Sequence, residues 1–199
     1  MKYPFFYLIL FCLCLSTSFG QNYEQEILEH RISKDSSFLT DEDSPVEEKN
    51  SFKGLNYFSV DPSFKVSGEL VKFPGLKMKT FETSSGIQKT YKLYGKLTFT
   101  LKGEKFSLPV YQSMIALNGY KDYLFVPFMD QTTGLESYAA GRYLDFSIPE
   151  DFDNVIVDFN YSYNPYCAYS EGYSCPIPGK ESYLDIEITA GEKDYKDSI

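Results

Sequence analysis

Most of the polar residues that look placed rather than scattered lie between positions 124 and 181. The chain there reads PFMDQTTGLESYAAGRYLDF and then VDFNYSYNPYCAYSEGYSCPIPGKE. Asp130, Thr132, Thr133 and Gly134 form a turn after an apolar run. Glu136 and Tyr138 are two apart, so they share a face wherever that segment is extended. Arg142 opens the next apolar stretch, Asp158 and Asn160 alternate with Val157 and Phe159, and Asn164-Pro165 begins a turn. An arginine, acids and amides at strand ends can converge on one end of a sandwich or barrel, where ligand sites are often found. The expected site is therefore Asp130, Glu136, Tyr138, Arg142, Asp158, Asn160, Tyr163 and Asn164. In it Arg142 clamps an anion or hydroxyl, the acids orient it, and tyrosines form the walls. The competing reading is a structural network in which a buried Arg142 is held by Asp130, Glu136 or Asp158.

Tyr161, Tyr163, Tyr166, Tyr169 and Tyr173 follow one another closely. Their rings suit stacking on sugars or planar ligands, and they equally suit packing in a β protein without tryptophan. Cys167 and Cys175 are eight apart; in an exported chain a disulfide is the expected state, with a reactive thiol or a metal pair as alternatives.

Several chemistries lack their parts. The only histidine, His30, lies far from the cluster, so serine or cysteine triads have no base. The two cysteines lack the helpers that a zinc site needs. Neither a phosphate-binding glycine loop nor an alternating-acid calcium loop is present, and no cofactor or metal is expected. What survives for an enzyme is acid–base work by paired carboxylates on a glycan, Asp130 or Glu136 with Asp158. With 19 basic against 28 acidic residues, the net charge of −9 argues against nucleic acid and anionic membranes. The expected partner is a small molecule or glycan.

These residues need a frame. Lys2, the apolar run 5–15 and the small-residue end Ser18-Phe19-Gly20 read as an export leader cleaved before Gln21. The run falls short of the roughly 20 residues that span a bilayer. Cys12 and Cys14 raise a lipoprotein alternative, but Phe11 and Leu13 stand where a small residue would be needed. The expected location is periplasmic or extracellular, with no integral membrane span once the leader is removed. Residues 21–33 carry Ile27, Leu28 and Ile32 at near-helical spacing and predict a short helix. Residues 34–51 read as an acidic linker.

From position 52 to 193 the pattern is β. Strands are predicted over 66–71, 78–83, 89–94, 96–101, 106–110, 123–128, 144–148, 155–159 and 184–188, with turns at Ser84-Ser85-Gly86 and Lys102-Gly103. Pro109 suggests an edge or bulge. The tail from 194 to 199 reads as charged and frayed. The predicted fold is all-β, a mostly antiparallel sandwich or partly open barrel with a short N-terminal helix.

FKGLNYF at Phe52, the two long central motifs and the closing ITAGEK together resemble the bacterial domain of unknown function numbered 1684. The pairs His30-Arg31 and Lys34-Asp35, with Ser44-Pro45, resemble its N-terminal part. Gly179 and Ser182 depart from its pattern, where a proline and an asparagine are usual. The resemblance identifies a domain and implies no chemistry.

Overall fold

The structure is a computed structural model that describes residues 4–114 and 121–195, with side chains from residue 21 onward. One helix, α1 (Pro4–Thr40), precedes the strands. It is longer than the predicted 21–33 and takes in the first part of the predicted linker, so only residues 41–51 remain as a surface turn. The leader expectation falls on residues 1–20, whose side chains lie outside the described set.

The strands are β1 (Lys65–Lys72), β2 (Met78–Phe81), β3 (Lys89–Leu101), β4 (Glu104–Ser113), β5 (Tyr123–Asp130), β6 (Arg142–Ser147), β7 (Val155–Asp158) and β8 (Tyr183–Leu184). They form a curled half-barrel in the order β6-β5-β4-β3-β1-β7, with β2 beside β3 and β8 beside β5. The ladders are antiparallel except that β8 joins β5 in parallel. The two strands predicted over 89–94 and 96–101 are one strand with an irregularity at Leu93/Gly95. Pro127 does not stop β5, which continues to Asp130 and pairs Pro127 with Tyr143. The strand predicted over 184–188 shrinks to Tyr183–Leu184. Pro109 lies in an interior strand, but β4 meets β5 in register only at Tyr111↔Phe125, so the missing N–H breaks little of a ladder.

Alternation along the strands gives the sheet two different faces. Leu97, Phe99, Leu108, Val110, Leu124, Val126, Phe128 and Leu144 point into the main core with Phe64, Phe159 and Ile188. Their neighbours of opposite parity, Tyr111, Phe125 and Tyr143, join Phe81, Tyr91, Leu93, Tyr123 and Tyr163 in a second, aromatic cluster on the other face. A third cluster, Phe38, Val46 and Leu55, seats α1 against the domain.

The segment after residue 191 is not wholly frayed. Glu192 is 1 % exposed, and Lys193 and Asp194 donate their backbone N–H groups to the Asn56 and Glu136 carbonyls at 2.8 and 2.9 Å. The Tyr195 ring packs on Tyr169 at 5.0 Å. The rest of the predicted tail, 196–199, lies outside the described residues.

Candidate functional site

The eight residues singled out by sequence do not form one site. Arg142 stands on the core face with Leu144, and its side chain is fully buried. Its Nη2 donates to Asp130 Oδ2 at 2.8 Å and to the Ile188 carbonyl at 2.8 Å, and its Nη1 donates to the Ala190 and Glu192 carbonyls at 2.6 and 3.0 Å. The guanidinium also lies 5.5 Å from the Phe58 ring centroid and 5.3 Å from that of Phe128. Burial lowers its pKa, while Asp130 opposes the shift. Asp130 is saturated in turn: it accepts from Thr132 N at 2.8 Å, Thr132 Oγ1 at 2.6 Å and Ile188 N at 3.2 Å.

Two glycines make this geometry possible. Gly141 takes a φ of +87°, and a Cβ there would sit 2.7 Å from the Phe128 carbonyl. Gly191, at φ +75°, lies where a Cβ would collide with Ser162, and so brings the Ala190 and Glu192 carbonyls onto Arg142. Arg142 is thus the pin that fastens the closing segment ITAGEK to the sheet. It does not reach a ligand as the sequence suggested, because its strand parity turns it inward.

Asp158, Asn160 and Asn164 hold chain segments together. Asp158 caps the 3-10 turn Phe159–Tyr161 and accepts from the Tyr23 hydroxyl on α1 at 2.8 and 2.9 Å. Asn160 accepts from Asp61 N at 3.0 Å and donates to the Asp61 carbonyl at 2.9 Å. Asn164 donates its N–H to Glu192 Oε2 at 2.9 Å and its amide to the Lys193 carbonyl at 2.7 Å. Glu136 is largely exposed and pairs loosely with Lys193 at 3.7 Å. Tyr138 donates its hydroxyl to the Cys167 carbonyl at 3.1 Å, bracing the disulfide loop. The carboxylates Asp130, Glu136 and Asp158 therefore serve separate partners and do not line a common cleft, as paired acid–base work would require.

The N-terminal pairs have similar work. Arg31 donates to the Phe58 carbonyl at 2.9 Å and stacks over Tyr57 at 4.5 Å. Lys34 pairs with buried Glu192 at 2.5 Å. Asp35 accepts from Leu55 N at 3.2 Å and the Tyr57 hydroxyl at 3.3 Å. His30 meets Tyr161 edge-on at 4.8 Å, and burial lowers its pKa. These contacts are how a polar helix docks onto the domain.

Of the eight, Tyr163 alone borders a cleft found among the described residues. It belongs to a cleft of about 490 Å³ over the second face of the sheet. Tyr91, Tyr123, Phe125 and Tyr143 are contributed by β3, β5 and β6, and the loop from Pro165 to Pro176 closes the other side with Tyr166 and Tyr173. Lys89 and Ser113 complete the rim with Ser174. The volume lies within the range of small-molecule sites, about 300–1,000 Å³. The Cys167–Cys175 disulfide is formed, as the sequence suggested, and it ties the two ends of the loop that carries Tyr166 and Tyr173. The loop is also stitched to the β2–β3 turn: Ser84 N donates to the Cys175 carbonyl at 3.2 Å, and Ile177 N to that of Glu82 at 2.9 Å.

Behind the cleft stands Asp145, opposite Phe125 in the β5–β6 register. Its carboxylate accepts from the Tyr163 hydroxyl and also bonds to Tyr123. Burial pushes its pKa up, while these hydroxyls and Lys34 restrain the rise. Burial likewise pushes Tyr91, Tyr123, Tyr143 and Tyr163 upward, so all four phenols are neutral in the cleft walls at ordinary pH. The sequence contained the signal for this site. In the strand predicted over 144–148 Leu144, Phe146 and Ile148 alternate, and an apolar face made by them sends Tyr143 and Asp145 to the opposite face and Arg142 inward.

A family model described as "Protein of unknown function (DUF1684)" matches residues 50–193. The chain is also similar to an uncharacterized protein of Haloarcula marismortui, whose structure was solved by solution NMR. The two are 34 % identical, the match covers 88 % of this chain and 96 % of the other, and the TM-score is 0.67. No curated protein matches.

Proposed function

Since the chain belongs to the DUF1684 family of proteins of unknown function, we propose a role from the geometry: it is a binding module for a small organic ligand held in the tyrosine-walled cleft. One observation carries the reading. Six aromatic side chains besides Tyr163 line a cleft of about 490 Å³ on a sheet face that is separate from the main core. A packing cluster of that size ordinarily closes on itself, since interiors leave few voids larger than a water molecule. Here the rings pack on one another within the sheet wall and within the loop, and a disulfide-tied loop borders the space between the two sets. The ligand is a small molecule or a glycan unit. The main uses of Asp130, Arg142, Asp158, Asn160 and Asn164 are architectural, and Tyr163 is the member of the sequence-derived set that would meet the ligand.

Export supports the same picture. A leader over 1–20 would deliver the chain to a periplasmic or extracellular space, where the disulfide that ties the cleft wall persists. Among the described residues no helix is long and apolar enough to cross a membrane.

The test is a ligand panel of sugars, planar aromatics and small ammonium ions read by thermal unfolding. A ligand of the native state raises Tm. The reading expects at least one class to do so in the wild type, and expects Tyr166→Ala with Tyr173→Ala to abolish the rise. A rise that survives the double substitution, or a panel without effect, contradicts it.

A further inference from the structure

We propose that the ligand of this cleft is a small molecule bearing an alkylated ammonium group, held by the tyrosine rings as a cation in an aromatic box. The inference rests on the binding reading above and specifies its chemistry.

The Tyr143 hydroxyl donates to the Pro176 carbonyl at 2.6 Å, the Tyr163 hydroxyl donates to Asp145, and Tyr123 bonds to the same carboxylate. At the rim, Ser174 is bonded to Ser85 at 2.6 Å. Tyr123, Tyr143 and Tyr163 therefore turn their polar tips into the protein and their rings toward the space. A sugar needs donors and acceptors in register with its hydroxyls, and a cleft that has already spent them is a poor host. A ligand that attracts ring π density and asks for few hydrogen bonds fits better.

Phe125 and Tyr143 meet at 79° with centroids 4.7 Å apart, Tyr143 and Tyr163 at 89° and 5.8 Å, and Tyr166 and Tyr173 at 76° and 5.2 Å. Tyr91 lies near parallel to Phe125, at 27° and 5.4 Å, but the other walls stand near right angles and make a box, whereas a planar ligand calls for a parallel slot. A tetrahedral alkylammonium has no plane and can meet several faces at once, which is the arrangement that recognises quaternary ammonium ions.

Asp145 lies behind Tyr163 and Tyr123, and a phenol that donates to a carboxylate gains electron density in its ring. Asp41 and Asp43 act on the Tyr166 hydroxyl from the turn after α1, adding to the effect of burial and Tyr173. The whole chain carries −9. Against this stand two lysines. Lys34 lies 4.6 Å from the Tyr163 ring but is neutralised by Glu192 at 2.5 Å. Lys89 is exposed at the rim, so its ammonium stays in water. A cation in the box thus sits among rings backed by acid.

Calorimetric titration of the mature chain with choline, and with its neutral analogue in which a tert-butyl carbon replaces the nitrogen, tests the inference. The two probes share shape and apolar area and differ in charge. Choline is expected to bind at least tenfold more tightly than the neutral analogue. Tyr166→Leu is expected to remove most of that preference and Tyr166→Phe to keep it, since Tyr166 is exposed enough for either change to leave the fold intact. Equal or tighter binding of the neutral analogue overturns the cation while leaving the cleft standing. Absence of heat from both probes overturns the cation as well. In that case the cleft stands only if another class of the panel raises Tm through Tyr166 and Tyr173.

Discussion

The two faces of β5 and β6 carry the two constellations of this protein, and they differ in what their polar groups are for. On the core face Arg142 and Asp130 meet at 2.8 Å with both side chains fully enclosed, and backbone carbonyls take the other Nη protons. On the other face Asp145 is only partly enclosed, its hydroxyl partners belong to rings, and those rings border a gap of about 490 Å³. A site that spends its charge on its own chain is architecture. A site that turns its polar tips inward and leaves apolar faces unfilled is prepared for something else. Residue type pointed to the first as functional, and the unused space points to the second.

Arg142→Ala should give the largest effect. It leaves Asp130 buried without its cation, and breaking such a pair costs about 3–5 kcal/mol. Denaturant unfolding should show that loss together with release of the ITAGEK segment. A loss under about 1 kcal/mol would mean that the arginine is not the pin described here.

Removing the disulfide comes next. Cys167→Ser with Cys175→Ser opens a loop of nine residues, counted from Cys167 through Cys175, which is worth about 2.5 kcal/mol by chain entropy. The cleft should suffer more than the core: ligand-induced stabilisation should vanish while the domain still unfolds cooperatively. Retained binding would separate the loop from the site.

A smaller effect is expected from acid. Asp145 has a folded pKa raised above its unfolded value of about 4. The folded state therefore holds its proton more tightly, and this carboxyl favours folding increasingly as pH falls from its raised pKa toward 4. The groups facing it are the Tyr163 and Tyr123 hydroxyls, Lys34 from α1 and the ring of Tyr91. Asp35 contributes with the same sign and His30 with the opposite one, so the informative quantity is the difference between wild type and Asp145→Asn. The wild type should gain stability relative to Asp145→Asn as pH is lowered through this window; a flat difference would deny the shift. The smallest effect on stability belongs to Tyr166→Ala, within about 1 kcal/mol because the ring is 44 % exposed, yet it should weaken binding several-fold.

Much of the frame was legible because alternation is a local signal. β1, β3, β4, β6 and β7 fall close to where Val66, Leu97, Leu108, Leu144 and Val155 set the period. The disulfide was legible from the spacing of Cys167 and Cys175 together with the expectation of export. Helix length was not: residues 34–40 look like a linker in composition, and it is Lys34, Asp35 and Phe38, bound to Glu192, Leu55 and Tyr169, that keep them helical. Glu192 was missed because nothing near it in sequence announces a buried acid; its partners Lys34 and Asn164 come from distant segments. The cleft was half legible. Tyr166 and Tyr173 stood out by density, but Tyr91 and Phe125 read as ordinary strand residues until the register stacked them at 5.4 Å.

The most direct test follows tyrosine-ring and arginine side-chain NMR signals while the bound member of the panel is titrated in. The account predicts that the Tyr143, Tyr166 and Tyr173 rings shift progressively while the Arg142 Nε–H signal stays in place. A moving Arg142 signal with still tyrosines would contradict it and return the site to the core face.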